Sequence, residues 1–377
     1  MRVVIASDKF KGSATGAEVA ASLGDGIRSV IPDAVIETVP VADGGEGTVE
    51  AAIASGFEAV TARVAGPTGA PLEARFAVRG AEAIIEMAAA SGLDVLPRGE
   101  KAALTATSHG TGDLISAALD RGCTTIVLGV GGSACTDGGA GMLQALGVSL
   151  RAAGRPVRAG GAALAELVDV DVSGLDPRLA DATIVLASDV DNPLLGDRGA
   201  AVVFAPQKGA SADDVAALEA GLRRFSELLE KQPGVRPSAT APGAGAAGGV
   251  GYAALAVLGA RREPGIDVIQ RLTGLAHRIS GADLVITGEG SLDEQSLGGK
   301  TPMGVAAAAR AAGIPVIAVC GRSAITEEQA TDAGFRRVYA LSEIEPDPAA
   351  SMANAVSLLV DLGGRLALDL VLDRASN

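Results

Sequence analysis

The sequence predicts an α/β protein of two domains, and its length, composition and order of elements all point to this class. The chain has 377 residues, which is longer than one hydrophobic core usually supports. Hydrophobic residues make up 48% of the chain and aromatic residues only 2%, so the cores must be built from Ala, Val, Leu and Ile. Such side chains suit closely packed layers of helices on sheets. Runs of β-type residues alternate with helical runs near both ends of the chain, which predicts a parallel sheet.

The N-terminal segment predicts two units of strand, loop and helix. Residues 2–7 (RVVIAS) are apolar enough for a buried parallel strand, and a basic loop follows at residues 8–13. Thr15 and Glu18 form a T-x-x-E capping box, which predicts the start of the first helix. Residues 35–41 (VIETVPV) read as a second strand that runs into a glycine-rich loop and a second helix.

The pattern changes in the middle of the chain. Residues 58–64 and 72–78 alternate like an antiparallel pair around a Gly-Pro-Thr-Gly turn. This part of the sequence therefore predicts a mixed sheet instead of a purely parallel one. The other elements predicted there are strands at residues 83–87, 124–130 and 183–187, and helices at residues 112–120, 211–231 and from residue 252.

The pattern of strand, loop and helix returns near residue 283. It predicts strands at residues 283–287, 316–319 and 337–340, a helix that begins at Thr301-Pro302, and a last helix over residues 348–371. Five such units, split as two plus three, predict a discontinuous flavodoxin-like domain with a second mixed α/β domain inserted into it. We place the first domain at residues 1–60 and 281–377, and the inserted domain at residues 61–280. The active site is expected in the cleft between them.

Charge and cysteine content exclude several classes of function. The net charge of −14 disfavours binding to nucleic acid or to anionic membranes. No uninterrupted apolar stretch approaches the roughly 18 residues of a transmembrane helix. The three cysteines lack metal-type spacing, which predicts reduced thiols in a cytoplasmic protein. The oligomeric state is left open, with a homodimer as one option.

Charged residues follow the predicted strands at the points where these strands end. In open α/β sheets, ligands bind beyond the carboxyl ends of the strands. Cations and carboxylates beside glycine-rich turns are typical of a site for a metal-bridged polyphosphate. Each residue alone is equally explained by a turn, a helix cap or a solvated surface, so the prediction rests on the set. The set consists of Lys9 and Lys11, Asp43 and Glu46, Glu289 and Asp293, and, in the inserted domain, Asp189 and Asp191.

The most glycine-rich turn, residues 129–142 (GVGGSACTDGGAGM), lies between a predicted strand and a helix. Its backbone N–H groups could approach a phosphate, although tight packing against a neighbouring element explains such a turn equally well. Its first six residues fit G-x-G-x-x-A, but Ser149, Leu150 and Arg151 stand where a dinucleotide site needs an acidic residue.

A second motif, Gly299-Lys300-Thr301, resembles the end of a P-loop. The first glycine of a P-loop would fall at Glu294, so the motif is not one. Lys300 still precedes a helix N-terminus and could hold a phosphate oxygen. The two histidines, His109 and His277, have no metal-ligand partner at suitable spacing. Phosphoryl transfer fits this set of residues better than acyl transfer or zinc chemistry, because it depends on positioning and electrostatics.

Several longer motifs resemble those of the bacterial glycerate kinases, in order along nearly the whole chain. They are SDKFKGS (7–13), PVADGGEGT (40–48), TSHGTGDLI (107–115), the turn at 129–142, SDVDNPL (188–194), PQKGA (206–210), PGAGAAGG (242–249) and VITGEGSLDEQSLGGKTPMGVA (285–306). The resemblance implies transfer of the γ-phosphoryl group of ATP to D-glycerate, with 2-phosphoglycerate as the expected product. It also implies a flavodoxin-like domain with an insertion, and a site of neither Walker nor protein-kinase type.

Residues and resemblance together predict a Mg-ATP-dependent glycerate kinase. Lys9 and Lys11 are expected to bind the glycerate carboxylate or the transferring phosphoryl group, with Ser13 and Asn192 as further substrate ligands. Asp189 is expected to accept or orient the proton of the attacking hydroxyl, with Asp191 assisting. The expected Mg²⁺ ligands are Asp43, Glu289 and Asp293, and the expected nucleotide-phosphate cradle is Gly131, Gly132, Ser133, Asp137 and Lys300.

Two alternatives remain at this point. A nicotinamide-dependent dehydrogenase would use residues 129–134, and the missing acidic partner argues against it. A non-catalytic metabolite sensor would keep the site without the chemistry. The full set of acidic residues at the strand ends argues against a sensor, which has no need of metal ligands.

Overall fold

The computed structural model of the protein describes residues 1–42, 44–97, 100–297, 299 and 301–375. The chain divides into two compact units. One is made of Met1–Asp43 together with Ile266–Asn377, and the other is Gly44–Gly265. Each unit has its own sheet and its own hydrophobic core. Within the described ranges, no helix is long and apolar enough to cross a membrane.

The strands alternate with helices along most of the chain. The strands are β1 (Arg2–Ser7), β2 (Val35–Thr38), β3 (Glu58–Ala65), β4 (Pro71–Arg79), β5 (Glu82–Glu86), β6 (Thr125–Gly129), β7 (Ser149–Ala152), β8 (Arg155–Pro156), β9 (Asp169–Asp171), β10 (Thr183–Ala187), β11 (Arg261–Glu263), β12 (Leu284–Leu292), β13 (Val316–Ser323) and β14 (Arg337–Ala340).

The helices are α1 (Gly16–Val30), α2 (Thr48–Ala54), α3 (Ala88–Ser91), α4 (His109–Asp120), α5 (Ala140–Ala145), α6 (Ala200–Phe204), α7 (Ala212–Leu229), α8 (Ala246–Ala256), α9 (Gly265–Thr273), α10 (Leu275–Ile279), α11 (Glu294–Leu297), α12 (Thr301–Ala311), α13 (Glu327–Asp332), α14 (Pro348–Ala353) and α15 (Ala355–Ala375). Short 3₁₀ turns lie at Gly161–Glu166, Pro177–Ala180, Pro206–Lys208 and Leu341–Glu343.

The first unit is built on a five-stranded sheet in the order β14-β13-β12-β1-β2, in which every pair is parallel. The N-terminal strand β1 is an inner strand of the sheet, since it pairs with β2 on one side and with β12, which comes much later in the chain, on the other. The prediction of a discontinuous flavodoxin-like sheet is confirmed. All its carboxyl ends lie at one edge, which gathers the loops after β1, β12, β13 and β14.

Helices α1 and α15 pack against each other in the first unit. The predicted capping box is present, since the Thr15 hydroxyl accepts from the backbone N–H of Glu18 and the Glu18 carboxylate accepts from that of Thr15. A Cβ on Gly363 of α15 would lie 2.5 Å from the Leu23 carbonyl oxygen of α1. Glycine is therefore required where the two helix backbones approach.

The second unit is built on a six-stranded mixed sheet in the order β11-β10-β6-β5-β4-β3. The predicted hairpin is confirmed, with Glu58 opposite Val78 and a turn closed by the Gly66 N–H and the Ala70 carbonyl at 2.6 Å. Strands β5, β6, β10 and β11 run parallel. The mixed α/β class predicted for the insertion is confirmed, whereas the small sheet β8-β7-β9 was not predicted.

Several predicted boundaries differ from the structure. Strand β2 ends at Thr38, and the predicted last helix is two helices, because Asn354 leaves helical geometry between α14 and α15. Helix α4 begins at His109, three residues before its predicted start, and α8 begins at Ala246 with a left-handed stretch at residues 247–249.

The two compact units meet in sequence after residue 43 and after residue 265, whereas the predicted boundaries lie near residues 60 and 280. Helix α2 belongs to the second unit because it packs on β4 and β5 of the six-stranded sheet. Helix α10 belongs to the first unit because it packs on α12. The division therefore falls before α2 and at the start of α9.

Candidate active site

A cavity of about 530 Å³ opens at the carboxyl edge of the sheet in the first unit. The loop after β1 brings Lys9, Lys11 and Ser13 to its wall. The carboxyl end of β12 brings Glu289, and Asp293 follows that strand directly. All five were predicted as site residues. The parallel sheet explains this meeting, because strands far apart in sequence end at the same edge.

Backbone contacts fix the loop that carries the two lysines. The Asp8 N–H donates to the Gly288 carbonyl at 2.9 Å, which ties the loop to the end of β12. The N–H of Phe10 donates to the Ala14 carbonyl at 2.8 Å, and the Phe10 ring is buried in the core. A Cβ on Gly290 would lie 3.3 Å from the backbone nitrogen of Lys11, so the carboxyl end of β12 lies beside the loop after β1.

Two of the predicted residues also have structural tasks. The Ser13 hydroxyl donates to the Phe10 carbonyl at 3.0 Å, so its proton serves the turn while its oxygen faces the cavity as an acceptor. Asp293 directly precedes α11, and its Oδ1 accepts from the Ser296 N–H in the first turn of that helix at 3.1 Å. A ligand role for Asp293 would add to this capping role.

Two predicted residues, Asp43 and Lys300, lie outside the described residues. Within the described ranges, no group of three or more His, Cys, Asp or Glu side chains forms a potential metal site. The predicted Mg²⁺ set included Asp43, so its remaining described members are Glu289 and Asp293, which line the same cavity.

The glycine-rich turn at residues 129–142 lies in the second unit and packs closely on residues 44 and 45. A Cβ on Gly131 would lie 2.7 Å from the Gly45 Cα, and one on Gly129 would overlap the Gly44 carbonyl oxygen. Gly132 has φ of 72°, a left-handed conformation that favours glycine. Close packing and backbone conformation therefore explain at least some of the glycines in this turn.

The Asp137 carboxylate, which was predicted to lie in the phosphate cradle, anchors the glycine-rich turn. The residue is 2% exposed, and its carboxylate accepts from the Ser108 N–H and hydroxyl at 2.8 and 2.9 Å. It also accepts from the N–H groups of Gly139 and Gly141 at 3.1 and 3.2 Å. These four bonds hold the turn to the start of α4, so the predicted contact of Asp137 with a phosphate group would come in addition to this structural role.

The three predicted residues after β10 share one loop of the second unit, and each has a partner within that unit. The Asp189 Oδ1 accepts from the Gly265 N–H at 3.0 Å, and Asp191 pairs with Arg262 at 2.7 Å. The Asn192 amide donates to the Arg198 carbonyl at 2.7 Å. The carboxylates of Asp189 and Asp191 are exposed, which keeps them accessible to a substrate.

Comparison with known proteins agrees with this geometry. The chain matches the glycerate kinase family over residues 3–370. The chain belongs to the glycerate kinase family. It is 48% identical over 325 residues to the glycerate 2-kinase of Escherichia coli K12, covering 85% of each chain. It is 46% identical to the glycerate kinase of Bacillus subtilis 168, over 85% of each chain.

A solved structure titled as a glycerate kinase 2 from Salmonella typhimurium LT2 has the same fold. It superposes with a TM-score of 0.84 at 40% identity and covers 100% of this chain and 99% of that one. The family predicted from the sequence motifs is thereby confirmed, and with it the prediction of a kinase-family enzyme.

This glycerate kinase family member also buries a lysine that sequence reasoning missed. Lys208 is 1% exposed, and its Nζ donates to the Ser133 hydroxyl at 2.8 Å and to the Cys135 carbonyl. Burial lowers the pKa of Lys208, and the charge of Asp137 opposes that shift. The ammonium thus sits beneath the glycine-rich turn and leaves the Ser133 proton available to another acceptor. PQKGA was a motif of the resemblance, but no periodicity marked this lysine as buried.

Proposed function

We propose that the protein transfers the γ-phosphoryl group of ATP to D-glycerate and forms 2-phosphoglycerate. Membership of the glycerate kinase family and the relative named glycerate 2-kinase support this reaction. The observation on which the proposal rests is the cavity that gathers Lys9, Lys11, Glu289 and Asp293 at the carboxyl edge of a parallel sheet. Cations and carboxylates together are what an enzyme of phosphoryl transfer needs.

Lys9 and Lys11 are assigned to the transferring phosphoryl group. Phosphoryl transfer spreads negative charge over the equatorial oxygens, so fixed cations lower the barrier by electrostatic stabilisation. The contacts of the loop with Gly288 and Gly290 would hold the lysine backbone in place before the nucleotide binds. Such preorganisation avoids rearrangement during the reaction.

Glu289 and Asp293, with Asp43, are assigned to the magnesium ion. Carboxylate oxygens are ligands that Mg²⁺ prefers, and the two described residues line the same cavity as Lys9 and Lys11. When bound, the ion would offset negative charge on the phosphate oxygens.

Asp189 is assigned to accept or orient the proton of the attacking hydroxyl. Its contact with the Gly265 N–H would fix the orientation of the carboxylate. Asp191 and Asn192 are proposed to support the same loop through Arg262 and the Arg198 carbonyl. In the glycine-rich turn, Gly131, Gly132 and Ser133 stay proposed as anion donors, with Lys300 as a further phosphate ligand.

One assay tests the reaction against its alternatives. ADP release from ATP is measured with and without D-glycerate and Mg²⁺, beside NADH absorbance with the same acid. ADP release that needs both glycerate and Mg²⁺ is expected. Hydride transfer would favour the dehydrogenase, and silence in both readouts would favour a metabolite sensor.

The position of phosphorylation needs its own test. Enolase converts 2-phosphoglycerate, but not 3-phosphoglycerate, to a product that absorbs at short ultraviolet wavelength. We expect an absorbance increase when enolase alone is added to the kinase reaction. An increase that appears only after phosphoglycerate mutase is also added would show transfer to the other hydroxyl.

A homodimer and a cytoplasmic location are further proposals. The family relatives are named as enzymes of a small organic acid, which agrees with a small-molecule partner. Light scattering coupled to gel filtration measures the mass of the assembly, and fractionation of cells measures the location.

A further inference from the structure

The wall of the cavity in the first unit has two chemically different parts. The residues at and beyond the carboxyl ends of β1, β12 and β13 are largely charged, and they include Lys9, Lys11 and Arg322. The residues that follow β14 are largely apolar, and they include Leu341, Pro348, Met352 and Ala355. The Met352 side chain reaches back to the β1 loop, since its Cε lies 3.2 Å from where a Cβ on Gly12 would be.

The size of the cavity exceeds what glycerate needs. A water molecule occupies about 30 Å³ of liquid, so a three-carbon acid would fill only a fraction of the 530 Å³. Pockets for larger organic ligands run from about 300 to 1,000 Å³ and are mostly apolar with a few polar groups. The cavity has the dimensions and the lining of such a pocket.

Two of the cations that line the cavity are not engaged by the carboxylates that line it with them. Among the residues that the structure describes, neither the Lys11 ammonium nor the Arg322 guanidinium forms an ion pair. A guanidinium is well suited to phosphate because its planar fork donates two parallel bonds. Arg322 was not predicted as a site residue. It lies near the carboxyl end of β13, and this strand stands between β12 and β14 in the order of the sheet.

We propose that this cavity holds the nucleotide donor, with its nucleoside against the apolar wall around Met352 and its phosphates toward Arg322, Lys9 and Lys11. This assignment rests on the proposed function, which supplies the class of donor, a nucleoside triphosphate. It adds a location for the nucleoside and a phosphate ligand, Arg322, to the site. Glycerate then occupies a different place from the apolar part of this cavity.

Binding of ADP to the full-length protein tests the location without any turnover. Met352→Glu places a carboxylate on the apolar wall, and Val356→Glu makes a similar change nearby but outside the cavity. The two side chains are 50% and 46% exposed, so neither change disturbs the core. ADP affinity is measured by calorimetry with and without Mg²⁺, and thermal unfolding checks that both variants are folded.

We expect Met352→Glu to weaken ADP binding tenfold or more. Val356→Glu should leave the ADP affinity within twofold of that of the unaltered chain, and so should Met352→Leu, which keeps the wall apolar. In the kinase assay, Met352→Glu should raise the KM for ATP and leave the KM for glycerate within twofold. Arg322→Gln should weaken ADP binding at least fivefold. A loss below fivefold in Met352→Glu, or no ADP binding by the unaltered chain, overturns the nucleotide assignment.

The two proposals fail in different ways. One outcome is that the unaltered chain binds ADP and Met352→Glu weakens this binding as expected, but the unaltered chain does not phosphorylate glycerate. This outcome contradicts the proposed function and supports the nucleotide site. Glycerate phosphorylation with an unchanged KM for ATP in Met352→Glu contradicts the nucleotide site alone.

Discussion

Charged residues of the two units differ in how their charges are satisfied. Asp137 is enclosed by four hydrogen bonds, and Lys208 is enclosed by the Ser133 hydroxyl and the Cys135 carbonyl. Lys11 and Arg322, in contrast, are exposed to the cavity of the first unit. Enclosed charges hold the glycine-rich turn in shape, whereas the exposed cations are accessible to a ligand.

Lys9→Ala is expected to lower kcat/KM for ATP by about 100-fold, which is the usual effect of removing one donor that stabilises transition-state charge. Steady-state kinetics with saturating glycerate measure the change. Lys231→Ala removes an exposed lysine at the end of α7 in the second unit and serves as the control. Activity of Lys9→Ala within about threefold of the unaltered enzyme would contradict the lysine assignment.

His109 predicts a pH dependence of stability. Its Nδ1 lies 3.4 Å from the Asp113 carboxylate, and this interaction raises the pKa of His109 although burial opposes it. Folding therefore favours protonated His109. The resulting stabilisation is complete below the ordinary histidine pKa of about 6.5, and it is lost as pH rises through the higher folded-state pKa.

We therefore expect His109→Asn to lower the free energy of unfolding more at pH 5.5 than at pH 8.5, as measured by urea denaturation. The exposed His277 provides the matched control, and His277→Asn should change stability by no more than about 0.5 kcal/mol at either pH. An equal loss for His109→Asn at both pH values would show that the ion pair does not contribute.

At the scale of elements, two adjacent glycines of α15 differ in how closely they approach α1. A Cβ on Gly363 would lie 2.5 Å from the Leu23 carbonyl oxygen, whereas one on Gly364 would have ordinary contacts at 3.8 Å. Gly363→Ala is expected to destabilise the protein by about 1–3 kcal/mol, because the helices must separate. Gly364→Ala should instead stabilise it by up to about 1 kcal/mol, because alanine favours the helix.

Thermal and urea unfolding of both variants measure this difference. The same type of substitution is made in adjacent residues of one helix, so helix propensity is matched between them. Equal effects of the two changes would contradict the close backbone approach.

Local signals predicted most of the elements and only part of the site. The capping box at Thr15 and the hairpin around Gly66 depend on residues close in sequence, so both were predicted correctly. The meeting of Lys9 with Glu289 followed from a general property of parallel sheets. Burial of Lys208 depends on the packing of residues 133–135 over it, which no local pattern records.

The enclosed role of Asp137 was missed for a similar reason. An aspartate inside a glycine-rich turn can either face a ligand or anchor the turn, and the local sequence is the same in both cases. Only the contact with Ser108, 29 residues earlier in the chain, distinguishes them. Arg322 was overlooked because nothing near it in sequence marks the apolar wall that residues after β14 contribute.

For the whole molecule, two separate cores predict two unfolding transitions. One cluster of buried residues lies entirely within the first unit and the other entirely within the second. Calorimetry is expected to give an enthalpy larger than the two-state van't Hoff value, as is common for proteins of several domains. A single two-state transition would contradict this expectation.

Two substitutions assign the transitions to the units. Gly363→Ala should lower the transition of the first unit, and Asp137→Ala should lower that of the second by removing a buried acceptor of four bonds. Each variant serves as the control for the other. Equal shifts of both transitions in both variants would indicate one cooperative unit.

The pairing of β1 with β12 has a consequence for biosynthesis. Because β12 begins at Leu284, β1 is synthesised well before this partner, which is made only after the whole second unit. The second unit is continuous in sequence and can fold during translation, as domains commonly do. Its compaction also brings the two ends of the interrupting segment together, which shortens the distance over which β12 must find β1. The first unit is therefore completed after the second.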